Sequence, residues 1–165
     1  MRIIFFLYIL LATETVFAEL LKPSSNLQPQ EVISIQLNAL KDNNNPYEDA
    51  GIEQTWVFAH PSNKLFTGPL SNFIKMMYSP SYVIMLDHLE HNIIFVSYKP
   101  NVTYFFIELT DKEGNKFGFR WIMEKVIINS EFKDCWMTIG VSKPLSVNVN
   151  SYGTGQNWWC VIRIL

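Results

Sequence analysis

The stretch Tyr104–Glu124, YFFIELTDKEGNKFGFRWIME, decides how this chain folds. Phe105, Ile107 and Leu109 recur at every second residue, as do Phe117, Phe119, Trp121 and Met123, which is the period of strands with one face turned to a core. Two strands paired in register must bring these sets to one face, so odd-numbered residues pair with odd-numbered ones and the connection holds an odd number of residues. Glu113-Gly114-Asn115 meets that condition, with Gly114 free to take a positive φ. Such a register sets Glu108 opposite Arg120 on the wetter face, a pair worth under about 1 kcal/mol where exposed.

Working outward, further strands are expected over Leu86–His91, Ile93–Tyr98 and Cys135–Val141. Upstream the period changes to that of helices. Pro29 suits a first helical position, and Ile33, Leu37 and Leu40 follow at helical spacing with Val32 beside them. The run Asp42–Pro46 ends that helix. Asp49 is placed to cap a second helix carrying Ile52, Trp56 and Ala59 on one face until Pro61 stops it. Thr67-Gly68-Pro69 restarts helix, with Leu70, Phe73, Ile74 and Met77 inward, and Tyr82–Met85 forms a further turn. Helices followed by an antiparallel meander make an α+β fold, in which the helices cover the aromatic face of the sheet. The domain is expected over residues 28–144. Residues 145–165 form a tail that can add a hairpin turning at Tyr152–Gln156, with Trp158–Leu165 as its last strand.

Residues 1–18 carry one positive charge at Arg2, an apolar run Ile3–Ala12 and a small residue, Ala18, at the expected cut, the pattern of a secretory signal peptide. The apolar run is about half the ~20 residues of a membrane-spanning helix, and Glu14 interrupts its continuation. A periplasmic or secreted location follows as the expectation, with no membrane span after cleavage and residues 19–27 as a mobile leader. A remainder of this size buries roughly 70% of its unfolded surface, enough for a core without staples. The net charge of −2, mixed in sign, favours neither nucleic acid nor an anionic membrane as partner. Cys135 and Cys160 are the only cysteines. In an oxidising compartment they pair with each other or stay as two separate thiols, and both alternatives are open. With one pair and no CxxC, neither a thiolate metal site nor a redox enzyme is expected.

Asp49-Ala50-Gly51-Ile52, Phe58-Ala59, Pro61 with Asn63, Thr67-Gly68-Pro69-Leu70, Phe73, Pro80 with Tyr82, His88 and Cys135-Trp136-Met137-Thr138 together resemble the bacterial domain of unknown function 4864 family. The resemblance runs from about Gln30 to Val141. It implies a small exported domain similar to the nuclear transport factor 2 superfamily, a cone of curved sheet wrapped around helices that often holds a pocket. Such shapes host enzymes and non-catalytic binders alike.

Aromatic and titratable residues supply the candidate site. Asp87 and His88, as strand neighbours, would project to opposite faces, so only one can enter a pocket; His88, which belongs to the family pattern, is the better acid/base candidate. A structural histidine hydrogen-bonded between sheet and helix is the competing reading. His60, ahead of Pro61, suits a helix C-terminus as a cation. His91, three residues from His88, falls on the other strand face, and the three histidines lack metal-site spacing. Asn63 and Thr67 read as structural groups of a compact turn. Trp56, Tyr82, His88, Trp121 and Trp136 are the expected lining of a ligand pocket, although most of the aromatic set serves the core. The expected function is non-catalytic binding of a small apolar or amphipathic ligand, or of a partner protein, with no cofactor and with self-association open. The alternative is a pocket-type isomerase, dehydratase or cyclase using His88.

Overall fold

The computed structural model describes residues 19–146. Four helices precede the sheet: α1 (Pro29–Lys41), α2 (Ala50–Val57), α3 (Pro61–Thr67) and α4 (Leu70–Met77), followed by a 3-10 turn over Val83–Met85. The strands are β1 (Glu90–Lys99), β2 (Val102–Thr110), β3 (Lys116–Lys125), β4 (Trp136–Val141) and a short β5 (Leu145–Ser146). They run β1-β2-β3-β4, all antiparallel, and β5 pairs with β3 at Phe117 and Gly118, beyond the end of β4. The fold is α+β with an open sheet.

The decisive hairpin has the expected parity. Phe105 lies opposite Trp121, Ile107 opposite Phe119 and Leu109 opposite Phe117. The connection is odd but five residues long, Asp111–Asn115, because the Asp111 carboxylate accepts from the backbone N–H groups of Glu113 (3.0 Å) and Asn115 (2.8 Å) and organises a wider turn around Gly114, whose φ is 87°. The register therefore differs from the expected one by two residues. Glu108 faces Gly118, and Arg120 faces Phe106, leaving the two charges diagonal. Against the inward face α1 lays Val32, Ile33, Leu37 and Leu40, which join Phe105, Ile107, Leu109, Phe119, Trp121 and Met123 in one core. Each large side chain so buried contributes about 1.5–3 kcal/mol.

Three boundaries differ from expectation. Pro61 starts α3 instead of stopping α2, which already ends at Val57; a proline lacking its N–H fits the first turn at no cost. Leu86–His91 is not a strand: Asp87 takes a left-handed φ of 54°, its N–H bonds the α1 carbonyl of Leu40 (2.9 Å), and β1 begins only at Glu90. In the expected leader, Leu21 is held by Gln54 through a reciprocal pair of hydrogen bonds, 2.8 and 2.9 Å. The tail hairpin and Cys160 lie outside the described residues.

Asp49 precedes α2, but its side chain caps nothing there. It accepts from the Tyr78 hydroxyl (2.6 Å) and the Asn43 amide (3.3 Å), and it holds the Tyr78 phenol up at about 12. The free N–H groups at the start of α2 go instead to Asn43, whose backbone carbonyl takes Gly51 (2.8 Å) and whose side-chain oxygen takes Ile52 (3.0 Å). This cap from outside the helix presses α2 onto the end of α1 so closely that a Cβ on Gly51 would sit 2.1 Å from the Ala39 carbonyl oxygen. Gly51→Ala is expected to destabilise by about 2 kcal/mol or more in urea unfolding, since rigid backbone has to move. Gly140→Ala, with nothing within 4 Å of its added carbon, should stay within about 0.5 kcal/mol of wild type; equal effects would sink this account of the joint.

Candidate functional site

Thr138 on β4 is where helices and sheet are joined. Its N–H donates to the Phe58 carbonyl (2.9 Å) and its carbonyl accepts from His60 N–H (2.8 Å), so Phe58–His60 pairs with β4 as a parallel bridge at Ala59. The Asn63 amide reaches the same Thr138 carbonyl (3.2 Å), and the Thr67 hydroxyl donates to the Asn63 carbonyl (2.9 Å). Both side chains are structural groups, as expected, but within helix α3 and not in a compact turn. The Thr138 hydroxyl accepts from the Trp121 indole N–H (2.9 Å) and donates to Gln36 Oε1 (2.6 Å). Gln36 in turn donates to the Thr55 carbonyl (3.1 Å), and the Thr55 hydroxyl donates to the Gly51 carbonyl (2.9 Å). Sheet, α1 and α2 are thus linked by one buried relay in which each donor finds an acceptor.

The expected pocket lining is consumed by this interior. Trp121 and Trp136 are buried in the core, and Trp56 and Tyr82 pack against it. The Tyr82 hydroxyl donates to the Val141 carbonyl (3.2 Å), the Trp121 N–H is spent on Thr138, Trp56 packs on Phe73 with centroids 5.2 Å apart, and the Lys125 ammonium lies 5.2 Å from the Trp136 ring. His88 is not among them. It belongs with His91, whose partner Leu109 is four residues along β2 from Phe105, the partner of Trp121, a separation of roughly 13 Å. The four aromatics share a core, and His88 makes its hydrogen bonds to Met85 and His91 instead of to any of them.

His88 and His91 meet, contrary to the alternation expected of a strand, because the backbone turns at Asp87 before β1 begins. The His88 ring is 1% exposed, its Nδ1 lies 2.8 Å from the Met85 carbonyl and its Nε2 lies 2.7 Å from His91 Nδ1. A carbonyl only accepts, so Nδ1 of His88 carries the hydrogen. In the neutral ring Nε2 is then bare, and the shared hydrogen belongs to His91 Nδ1. Burial pushes His88 down to about 4, helped by the neighbouring His91 and Lys41 and opposed by the Met85 hydrogen bond and Asp87. His91 is lowered by burial and by Lys41. Both nitrogens of His88 are occupied within the fold, and neither is presented to a substrate.

His60 also differs from expectation. It stands at the start of α3, not at a helix end, and its Nδ1 accepts from Ser62 N–H (3.1 Å), which requires that nitrogen unprotonated. Burial lowers its pKa, with Glu124 opposing. Among the described residues no group of three metal-ligating side chains gathers. Cys135 is buried, its thiol pushed up by burial and Asp134; its pairing with Cys160 falls outside the described residues.

What pattern reading missed is α3 and the relay. Gln36 sits on the apolar stripe of α1 at a position where a hydrophobic residue would be expected, and that interruption was the available signal. Leu65 and Phe66, passed over as part of a turn, are 87% and 93% exposed. No helix among the described residues is long and apolar enough to cross a membrane. No family model matches the chain, and no curated protein or solved structure matches it either.

Thr138→Val keeps the shape of the side chain but leaves the Trp121 N–H unpaired in the core and is expected to cost about 1–3 kcal/mol in urea unfolding, whereas Thr138→Ser should retain the relay. A valine variant as stable as wild type would dismiss the relay as a stabilising element. The three histidines share one sign: folded pKa values below the unfolded value of about 6.5 mean that their stabilisation is complete above that pH and is lost as pH falls below it, for His88 down to about 4. The urea midpoint should decline over this window in wild type and more shallowly in His88→Gln, and matching slopes would remove His88 as a source.

Proposed function

We propose that this chain is an exported, non-catalytic domain that binds a partner protein through α3. The observation that carries the reading is a contrast within that helix. It has no buried residue, and its two large apolar side chains, Leu65 and Phe66, point to solvent at 87% and 93% exposure. Yet it is held firmly. His60 and Pro61 start it, Asn63 ties it to β4, and Lys64 donates to the Val57 carbonyl (3.2 Å) with its ammonium 5.2 Å from the Trp56 ring and 5.6 Å from that of Phe132. Phe132 belongs to the adjoining β3–β4 connection, which also exposes Ile127 (66%) and Ile128 (59%). Apolar side chains on a fixed mount give a partner its contact area with little ordering cost, which is how a few residues come to dominate an interface.

Export is supported by the charge, apolar run and small residue of the first 18 positions. The finer fold assignment, a nuclear transport factor 2-like domain of the 4864 family, is supported by helices lying over one face of an antiparallel meander and by the places the shared residues occupy. Gly51, Asn63, Thr138 and His88 all serve joints between elements. The resemblance is then one of scaffold, compatible with binding and silent on catalysis. A role for His88 in acid/base chemistry is disfavoured by its two occupied nitrogens and its depressed pKa.

Leu65→Ser with Phe66→Ser should leave the urea midpoint unchanged within about 0.5 kcal/mol, because neither side chain contributes to the core. In quantitative affinity capture from the extracytoplasmic fraction of native cells, proteins retained by wild type should be lost from this variant. Undiminished capture by the folded variant would refute the assignment to α3.

A further inference from the structure

β1 is an edge of the sheet: one side pairs with β2, and among the described residues no strand pairs with the other. It is ten residues long, with Phe95 and Tyr98 at 57% and 64% exposure. A long edge with large exposed side chains is a template for another strand. We propose that its occupant is β1 of a second copy of this chain, paired antiparallel about a two-fold axis through Ile94, so that two sheets become one.

The sequence of the strand argues for this partner. Pairing with β2 skips Val96: Phe95 lies opposite Phe105, and Ser97 opposite Tyr104. The extra residue shifts the alternation. His91, Ile93 and Phe95 share the face of Leu109, Ile107 and Phe105, but beyond the bulge it is Tyr98, opposite Thr103, that does so. Glu90, Asn92, Ile94, Ser97 and Lys99 lie on the other face. Folding β1 onto a copy of itself around Ile94 then sets Ile93 against the partner's Phe95, Asn92 against the partner's Ser97, His91 against the partner's Tyr98 and Glu90 against the partner's Lys99. Both members of every pair come from the same face, with Val96 again the extra residue. Without the bulge, a strand centred on one residue would place Glu90 opposite residue 98, not Lys99. The bulge, ordinarily an obstacle to edge pairing, is here what makes both the faces and the charges agree.

The two ends therefore carry opposite charges twice over, once in each direction. In the single chain Glu90 accepts from the Thr110 hydroxyl (3.2 Å) and the Lys99 ammonium lies 5.5 Å from the Tyr104 ring, so both side chains already lie over β2 and keep further polar capacity. This surface is separate from α3, and its test is independent of partner capture there.

The experiment is sedimentation equilibrium of the full-length chain processed at its leader, over a range of concentrations, with Glu90→Lys, Lys99→Glu and the double exchange. Wild type should be a dimer, and each single change, which sets like charges opposite at both ends, should weaken it by roughly tenfold or more. The double exchange should return the dimer to near wild-type strength. So should mixing the two single variants, since the heterodimer has opposite charges at both ends without any doubly changed chain. Hydrogen exchange at β1 should slow as protein concentration rises. A monomer at every concentration overturns the proposal, as it would if another segment of the chain occupied this edge. A dimer indifferent to the single changes, or one not recovered on mixing, overturns it equally.

Discussion

Thr138 carries the one arrangement the rest of the structure depends on. A β-sheet with a strongly apolar face needs a cover, but apolar packing alone does not fix where the cover lies. The Thr138 hydroxyl, between the Trp121 indole and Gln36, sets α1 over the centre of the sheet, because a displaced helix would leave donors unpaired in the core. Its backbone groups hold Phe58–His60 against β4 and so determine where α3 begins. One residue uses its amide, carbonyl and hydroxyl to position three elements. The second joint, Asn43, lies just past the C-terminal end of α1, where it caps α2 from outside and donates its backbone N–H to the Asp87 carboxylate (3.2 Å).

Much of the architecture is legible in the chain because it follows from periodicity. The alternation of Phe105–Leu109 and Phe117–Met123 gives the hairpin and its inward face, and the spacing of Ile33, Leu37 and Leu40 gives the helix that covers it. What is illegible rests on contacts between distant residues. The hairpin register differs by two residues because the Asp111 side chain organises a five-residue turn, a competition between side chain and loop length that composition does not resolve. His88 and His91 meet because Asp87 adopts a left-handed conformation held by Leu40 and Asn43, residues more than forty positions away. Proline at 61 is consistent with either a stop or a start, and only the pairing of Phe58–His60 with β4 settles which.

The candidate site was the least legible part for a related reason. Aromatic residues with polar edges are used both to line pockets and to staple cores, and the two uses look alike in sequence. In this chain the edges of Trp121 and Tyr82 bond to the fold itself. His88 does likewise, between a carbonyl and another imidazole. Gly51, Asn63, Thr138 and His88 thus mark joints between elements, and side chains already bonded within the fold direct attention to what it displays outward.

Two displays stand at opposite edges of the sheet. β1 is one edge; α3 is tied to β4, the other edge of the main path, through Asn63 and Thr138. Pairing through β1 would leave α3 uncovered and would join two four-stranded paths into eight strands. At about 4.8 Å per strand, seven spacings separate the two β4 strands by roughly 34 Å. A dimer of that form carries its two α3 helices at its far ends, facing away from the shared axis. A partner that repeats at a matching interval, or is itself dimeric, would then be held at both ends, and the second contact would form at an effective concentration set by a rigid sheet in place of a flexible linker. Modest affinity at Leu65 and Phe66 would suffice for such binding, which fits a recognition element of only seven residues.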